Sequence, residues 1–292
     1  VILRERLLPC EDHGNRYVVS AFGILAATMQ LAARQLGLEL DVRQNPDLDP
    51  PTLNMSGPRT VVGNATIVGT CEPEPAANVL NLRRTSRLPY HDRPVNGASL
   101  SAFERVLQNS AHRLIMRDDP EVVRSLLHLN AQAIVDNLHL DDEREEISRW
   151  YRMGTTPRFG DGLWQIPMNQ PAWELRSAFM FPHLFHLPGL KQFAIGRYLR
   201  TQQGTRHIGL LCGPFQEPVE LFEAGQLLMK LWLDMSRENV YMQPMGSMLT
   251  NPAYAREIAR RFGVDDCWLV FRFGYSDPPP QAPRLESILI HE

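Results

Sequence analysis

Three arginines and two hydroxyl side chains fall within five residues at Arg83-Arg84-Thr85-Ser86-Arg87, directly ahead of a proline-punctuated turn, Leu88-Pro89-Tyr90-His91-Asp92-Arg93-Pro94-Val95. A guanidinium presents a planar fork of N–H donors that fits a pair of phosphate oxygens, and hydroxyls can fill the remaining positions. The chemistry such a cluster suits is capture of an anionic group. On spacing alone the plainer reading is the solvated start of a basic helix, and one helix face cannot present all five side chains to one ligand. Other patterns carry less. His183 and His186 lie three apart, but Pro182 and Pro188 spoil a helix there, and no acidic or cysteine partner has metal spacing. His112, His128 and His139 form no triad pattern, and G-x-S-x-G, Walker A and G-x-G-x-x-G are all missing. The Glu143 to Glu146 run reads as a solvated helix face.

The elements that must position the cluster belong to an ordinary globular chain. Its 292 residues suffice for one large domain or two small ones, with 43% hydrophobic and 22% charged residues. A net charge of −3 gives no support to a nucleic-acid partner. No apolar run approaches the ~18 residues that span a membrane, so the expectation is a cytoplasmic protein without a membrane partner. The cysteines Cys10, Cys71, Cys212 and Cys267 are far apart and contain no C-x-x-C, which suits reduced core thiols without zinc or disulfides.

Taken in order, Ser20 to Leu36 has apolar residues at helical spacing, with Gly37 closing the helix. Small residues along it allow close packing against another helix. Residues 38–42 alternate like a strand, and 66–71 suit a buried one. Ser101 and Glu104 form a capping-box pattern that predicts a helix to about Met116. Asp119-Pro120 starts another, and a charged helix follows from Asp142 to Arg152. Residues 153–172 read as irregular and 173–190 as an aromatic-rich stretch broken by prolines; together 153–190 has the character of a lid or binding loop. Strands are expected near 206–212, 238–244 and 268–275, and helices over 221–235 and from Asn251-Pro252 to Phe262.

Two parts of the chain superimpose at one shift. Gly23 maps to Gly225 (225 − 23 = 202) inside matching helices, Leu38 maps to Val240, and Thr66-Ile67-Val68 maps to Trp268-Leu269-Val270. Any two helix–strand units resemble one another to a degree. Read as a true repeat, the chain is a pseudo-dimer whose first copy is incomplete at its N-terminus.

The run Arg83-Arg84-Thr85-Ser86-Arg87 leading to Arg93-Pro94-Val95 resembles the opening of the nitroreductase family, as do Ala224-Gly225-Gln226-Leu227, residues 243–247 and residues 274–284. The repeat resembles the fused, Acg-like branch, with two copies in one chain, and the likeness covers roughly residues 18–292. It implies an α+β fold with a mixed β-sheet wrapped by helices and two fused half-repeats. Residues 1–78 would be a truncated, degenerate first repeat and 79–292 the second, with the lid near 153–190. The helices 20–36 and 222–236 would pack across a pseudo-twofold axis. The cofactor implied is FMN. Arg83, Arg84, Thr85 and Arg87 would contact its phosphate and ribityl oxygens, with Arg284 closing on the phosphate from the other side. Pro244, Met245, Gly246 and Ser247 would run beside the flavin ring, the glycine allowing close backbone approach. One family feature is missing: the Ala-Pro-Ser-x-x-Asn-x-Gln-Pro-Trp stretch at the flavin's pyrimidine edge has only a poor echo in Leu129-Asn130-Ala131-Gln132.

The function so implied is an FMN-dependent oxidoreductase, with hydride transfer at flavin N5 and NAD(P)H or an organic small molecule as donor. The alternative is a flavin-sequestering or storage protein with the lid closed over FMN, and a third is a scaffold without cofactor. The oligomer expected is a monomeric pseudo-dimer or a homodimer.

Overall fold

The computed structural model describes residues 1–55, 57–74, 79–154 and 161–282. The first long helix, α1 (Arg16–Gln35), begins earlier than its apolar spacing suggests. The reason is Asp12, whose carboxylate accepts from the amides of Tyr17 at 3.0 Å and Val18 at 2.9 Å and so anchors the positive end of the helix. After Gly37, whose φ of 72° suits a residue without a side chain, β1 (Leu38–Gln44) pairs antiparallel with β2 (Gly63–Thr70). Downstream come α2 (Gly97–Arg105), β3 (Arg113–Arg117), α3 (Pro120–Asn137) and α4 (Asp141–Ser148). Then follow α5 (Ala172–Met180), α6 (Pro188–Thr201), β4 (His207–Cys212) and α7 (Pro218–Arg237). The chain closes with β5 (Tyr241–Pro244), α8 (Pro252–Phe262) and β6 (Cys267–Gly274).

The architecture is α+β. The main sheet has four strands in the order β3-β4-β6-β5, antiparallel throughout. One parallel bridge, Thr85 to Met242, attaches the arginine cluster to its β5 edge. Every residue of β4 is buried, and strand alternation sorts the side chains onto two helical layers. Leu211, Leu269, Phe271 and Phe273 meet α7 residues such as Leu228 and Leu231. Ile208, Leu210 and Val270 meet Val123, Leu126 and Leu127 of α3 and Ile258 of α8. Each such apolar side chain taken out of water contributes about 1.5–3 kcal/mol.

Three expectations need correction. Strands 38–42 and 66–71 do not join the main sheet; β1 and β2 form a two-stranded sheet of their own, with Ile67 and Val68 largely exposed. The helix expected to run to Met116 is instead α2 followed by the edge strand β3. Asn96, whose side chain accepts from the Ser99 amide at 2.8 Å, caps α2, and residues 113–117 gain more from pairing with β4 than from extending the helix. Residues 173–190, expected as a stretch broken by prolines, instead hold α5, a 3-10 turn at Pro182–His186 and the start of α6, because Pro188 begins that helix rather than breaking it. Residues 155–160, the middle of the expected lid, lie outside the described residues.

α1 and α7 have equal length and share the sequence offset at both ends. They touch through their glycines. A Cβ added to Gly23 would lie 2.1 Å from the carbonyl oxygen of Phe222, and one added to Gly225 would lie 1.9 Å from that of Ser20. Ser20 and Phe222 are themselves related by the offset, so the two contacts are reciprocal, as across a twofold axis. By length and hydropathy α1 would suffice to cross a membrane, yet its small residues Gly23, Ala26 and Ala27 are buried and Phe22 packs its ring 5.2 Å from that of Phe222.

Candidate functional site

A cavity of about 390 Å³ lies where the end of β5 meets α3 and the segment 168–202. Residues 243–247 form one wall, Asn130 and Ile134 of α3 with Leu138 just past its end a second, and α5 and α6 a third. Glu11, Glu143 and Tyr151 also line it, and Arg87 enters from the arginine cluster. Pockets of this size, mostly apolar with a few converging polar groups, suit a cofactor or an organic ligand.

The structure divides the nine predicted site residues. Arg87, Pro244, Met245, Gly246 and Ser247 all line the cavity. Arg83, Arg84 and Thr85 do not. The Arg83 guanidinium lies 4.7 Å from the centre of the Trp232 ring on α7, and Arg84 donates to the Pro279 carbonyl at 3.1 Å. Thr85 holds the cluster to the sheet through its bridge to Met242. Neighbouring Ser86 is fully buried, its Oγ 2.7 Å from that of Ser276. Arg284 lies outside the described residues. Gly246 has ordinary helical angles, φ −65° and ψ −36°, so backbone conformation does not require glycine. A Cβ there would meet nothing within 4 Å, and the missing side chain leaves that part of the wall open.

Arg87 is a half-buried cation with no carboxylate partner among the described residues. It donates to the Pro167 carbonyl at a long 3.4 Å. Burial pulls its pKa down, the phenols of Tyr151 and Tyr198 oppose this, and Arg272 adds repulsion. Asn169 donates to the Arg87 carbonyl at 3.0 Å, tying the arginine's backbone to the segment opposite. A buried charge without a counter-charge is expensive unless a ligand supplies one.

Sequence reasoning missed Arg272, which is fully buried on β6. Its Nε donates to Gln243 Oε1 at 2.6 Å, its Nη1 to Thr205 Oγ1 at 3.1 Å and its Nη2 to the Leu88 carbonyl at 2.8 Å. Its guanidinium carbon lies 4.0 Å from the centre of the Tyr90 ring. Burial pushes the Tyr90 phenol up to about 12, although Arg272 and Arg87 both pull it down. These bonds fix Gln243 on the cavity wall and the Ser86 to Leu88 backbone behind Arg87. The available signal was a single charge inside the otherwise apolar run Trp268 to Tyr275.

Several acceptors on the cavity wall have no partner among the described residues. Asn130 donates to the Tyr198 hydroxyl at 2.7 Å, leaving its Oδ1 unpaired, and Gln202 Oε1 is unpaired as well. Both residues are at most 2% exposed. Glu11 Oε2, Glu143 Oε2 and Gln170 Oε1 complete the set. The expectation of a solvated Glu143 to Glu146 face is corrected here: Glu143 and Glu146 are both buried, and Glu146 accepts from the amides of Cys10 and Glu11. Unpaired buried acceptors are rare in folded proteins because each forfeits its hydration. Together they mark a place where a ligand bearing N–H or O–H donors completes the hydrogen bonding.

No family model matches the chain, and no curated protein does. Among solved structures it is similar to the FMN and NADPH-dependent nitroreductase NfnB from sphigopyxis sp. strain HMH, at 16% identity and TM-score 0.42, covering 75% of this chain and 99% of that one. It is also similar to a nitroreductase with bound FMN from Desulfitobacterium hafniense DCB-2, at 12% identity and TM-score 0.42, covering 74% and 98%. A third is NfnB from Mycobacterium smegmatis in complex with NADPH, at 16% identity and TM-score 0.39, covering 69% and 88%. At these scores the likenesses carry no argument about the chemistry of this chain.

Proposed function

We propose that the chain is an FMN-binding oxidoreductase of nitroreductase type, with the flavin in the cavity described above. The observation that carries this is convergence: Arg87 and residues 244–247, picked out by sequence resemblance from opposite ends of the chain, line one cavity. The fit to FMN rests on the donor set. Arg87 supplies a desolvated cation for a phosphate, and Asn130, Gln202 and Gln170 offer unpaired acceptors for the N–H and ribityl O–H groups of a flavin.

When bound, FMN supplies hydride chemistry at N5, with NAD(P)H or an organic small molecule as donor. The chain's own work is placement. Arg272 holds Gln243 and the Ser86 to Leu88 backbone, so the 244–247 wall and Arg87 keep a fixed relation. Phe179 and Phe185 on the lid side, with Ile134 and Leu138, supply apolar surface to the cavity. Because Arg83, Arg84 and Thr85 do not line the cavity and Arg284 lies outside the described residues, the phosphate assignment rests on Arg87. The reciprocal glycine contacts of α1 and α7 support reading 1–78 and 79–292 as two fused half-repeats of an Acg-like pseudo-dimer.

A second reading, flavin sequestration, is favoured by one observation: Met168, Asn169, Trp173 and Phe179, all from the lid segment, wall the cavity. The test separates the two. Purified protein is expected to show flavin absorbance near ~450 nm, bleached by NAD(P)H and restored by a quinone or nitroaromatic acceptor. Retained colour without bleaching favours sequestration, and protein that takes up no FMN overturns both.

A further inference from the structure

The cavity has a second charged pole that the flavin reading does not use. Glu11 precedes α1, and Glu143 lies on α4; both line the cavity, and each has an Oε2 without a partner among the described residues. Glu143 is only 8% exposed. Glu146, one turn further along α4, fixes the loop by accepting from the Cys10 amide at 3.1 Å and the Glu11 amide at 3.0 Å. Among the described residues, the charged and titratable neighbours of this trio give no compensating cation. Arg144 also lines the cavity, but it pairs with Asp141 at 2.6 Å and donates to the Leu138 carbonyl at 2.7 Å. Asp142 adds negative charge near Cys10, His13 acts on Glu11 only as the last of its influences, and the Thr250 hydroxyl reaches Glu11 Oε1 at 3.5 Å. Burial, then Glu143, then Glu146 push the Glu11 carboxyl up to about 7, and burial followed by Glu146 raises Glu143.

Aromatic surface stands beside these acids. The Tyr151 phenol senses Arg87 on one hand and Glu11 on the other. Its ring packs 5.1 Å from that of Phe179, which also lines the cavity. Carboxylates at the edge of an aromatic wall are the combination that recognises an organic cation, through ion pairing and cation–π attraction together.

We infer that the Glu11–Glu143 end of the cavity is a subsite for a protonated amine, and that the substrate is an amine with an aromatic or apolar body. That this ligand is a substrate rests on the flavin reading; that the subsite takes an ammonium group does not. An ammonium supplies three N–H donors to the two unpaired carboxylate oxygens and removes their mutual repulsion. Glu11 must ionise for this, so binding strengthens as pH rises through 7. An alkylammonium, which titrates near ~10 like a lysine, stays charged across that range.

The experiment is calorimetric titration of the full-length protein as purified, with 2-phenylethylamine and its neutral isostere 2-phenylethanol as probes, at pH 6 and pH 8. The amine is expected to bind at least tenfold tighter at pH 8 than at pH 6, and the alcohol equally at both. Glu143→Gln and Glu11→Gln are each expected to weaken the amine about tenfold while leaving the alcohol unchanged, which also shows that the variants keep their cavity. Equal affinity for the two probes, or an amine indifferent to both substitutions, overturns the inference. The flavin band, read on the same samples, keeps the two readings apart. Colourless protein that still discriminates amine from alcohol overturns the cofactor and keeps the subsite. Yellow protein that does not discriminate overturns the subsite alone.

Discussion

Glu11→Gln turns the charge arrangement of the cavity into a stability measurement. The Glu11 carboxyl titrates at about 7 instead of 4.5, with burial the first cause and Glu143 and Glu146 the next. The folded protein therefore binds a proton more tightly than the unfolded chain. For such a raised carboxyl the stability contribution is fully present below pH ~4.5 and is lost as pH climbs through 7. At about 1.36 kcal/mol per unit, the whole loss is about 3 kcal/mol. Glutamine keeps the shape without the ionisation and escapes it. The variant's melting temperature is expected to match the parent's near pH 4.5 and to exceed it by about 6–12 °C at pH 8, using roughly 2–4 °C per kcal/mol. The assay is thermal unfolding across pH 4.5–8 with flavin content held equal, since bound ligand shifts the midpoint by mass action. A melting-temperature difference that stays constant across the range refutes the reasoning: Glu11 would then titrate normally, with water reaching its carboxylate.

Arg87→Ala is expected to weaken FMN about tenfold or more, since a charge-assisted bond contributes about 1.5–3 kcal/mol. Riboflavin affinity, measured by fluorescence quenching, should stay level, and a parallel fall in both overturns the phosphate role. Gly225→Ala drives a Cβ into the Ser20 carbonyl and should lower stability by ~1–3 kcal/mol or more, read as a lower urea midpoint; an unchanged midpoint means that α1 and α7 do not meet there. Arg272→Leu removes the donors that hold Gln243 and Leu88, so both FMN binding and thermal stability should fall, whereas a loss of binding alone would contradict its structural part. His139 and His186 stack with ring centres 3.7 Å apart, and burial followed by His186 lowers the pKa of His139. Protonation of His139 on acidification below the ordinary imidazole range works against that stack, so flavin release in stopped flow is expected to accelerate as pH falls and not in His186→Ala.

What the sequence made legible was what lies within one element. The helical spacing of 221–235, the buried run 207–212 and the proline starts at Pro120 and Pro252 depend on neighbours a few residues away, and the observed elements follow them. The glycine pair was legible too, because only a close helix contact explains small residues at matching places in two long helices. Misreadings came where a distant partner decided the outcome. Residues 113–117 look helical until β4 is available to pair with, and the exposed hairpin β1–β2 reads as core because its alternation says nothing of which sheet it joins. Cys212 and Cys267, distant in sequence, face each other across paired strands.

The candidate site divides along the same line. Residues 244–247 and Arg87 were visible because each sits in a compact local pattern. Their companions Glu11, Asn130, Glu143 and Gln202 were not, because each is unremarkable where it stands and acquires meaning only by facing the others across the cavity. Glu143 makes the point most sharply. In sequence it belongs to an acidic helix that reads as a solvated face. In the fold it is buried, with an oxygen unpaired and Glu146 as its charged neighbour. Solvation explains an exposed acidic run without further assumptions, but a buried one needs a compensating group. Arg144, the nearest cation on the same helix, is committed to Asp141 and Leu138, so among the described residues the compensation is either a proton, which the raised pKa of Glu143 favours, or the ammonium ligand proposed above.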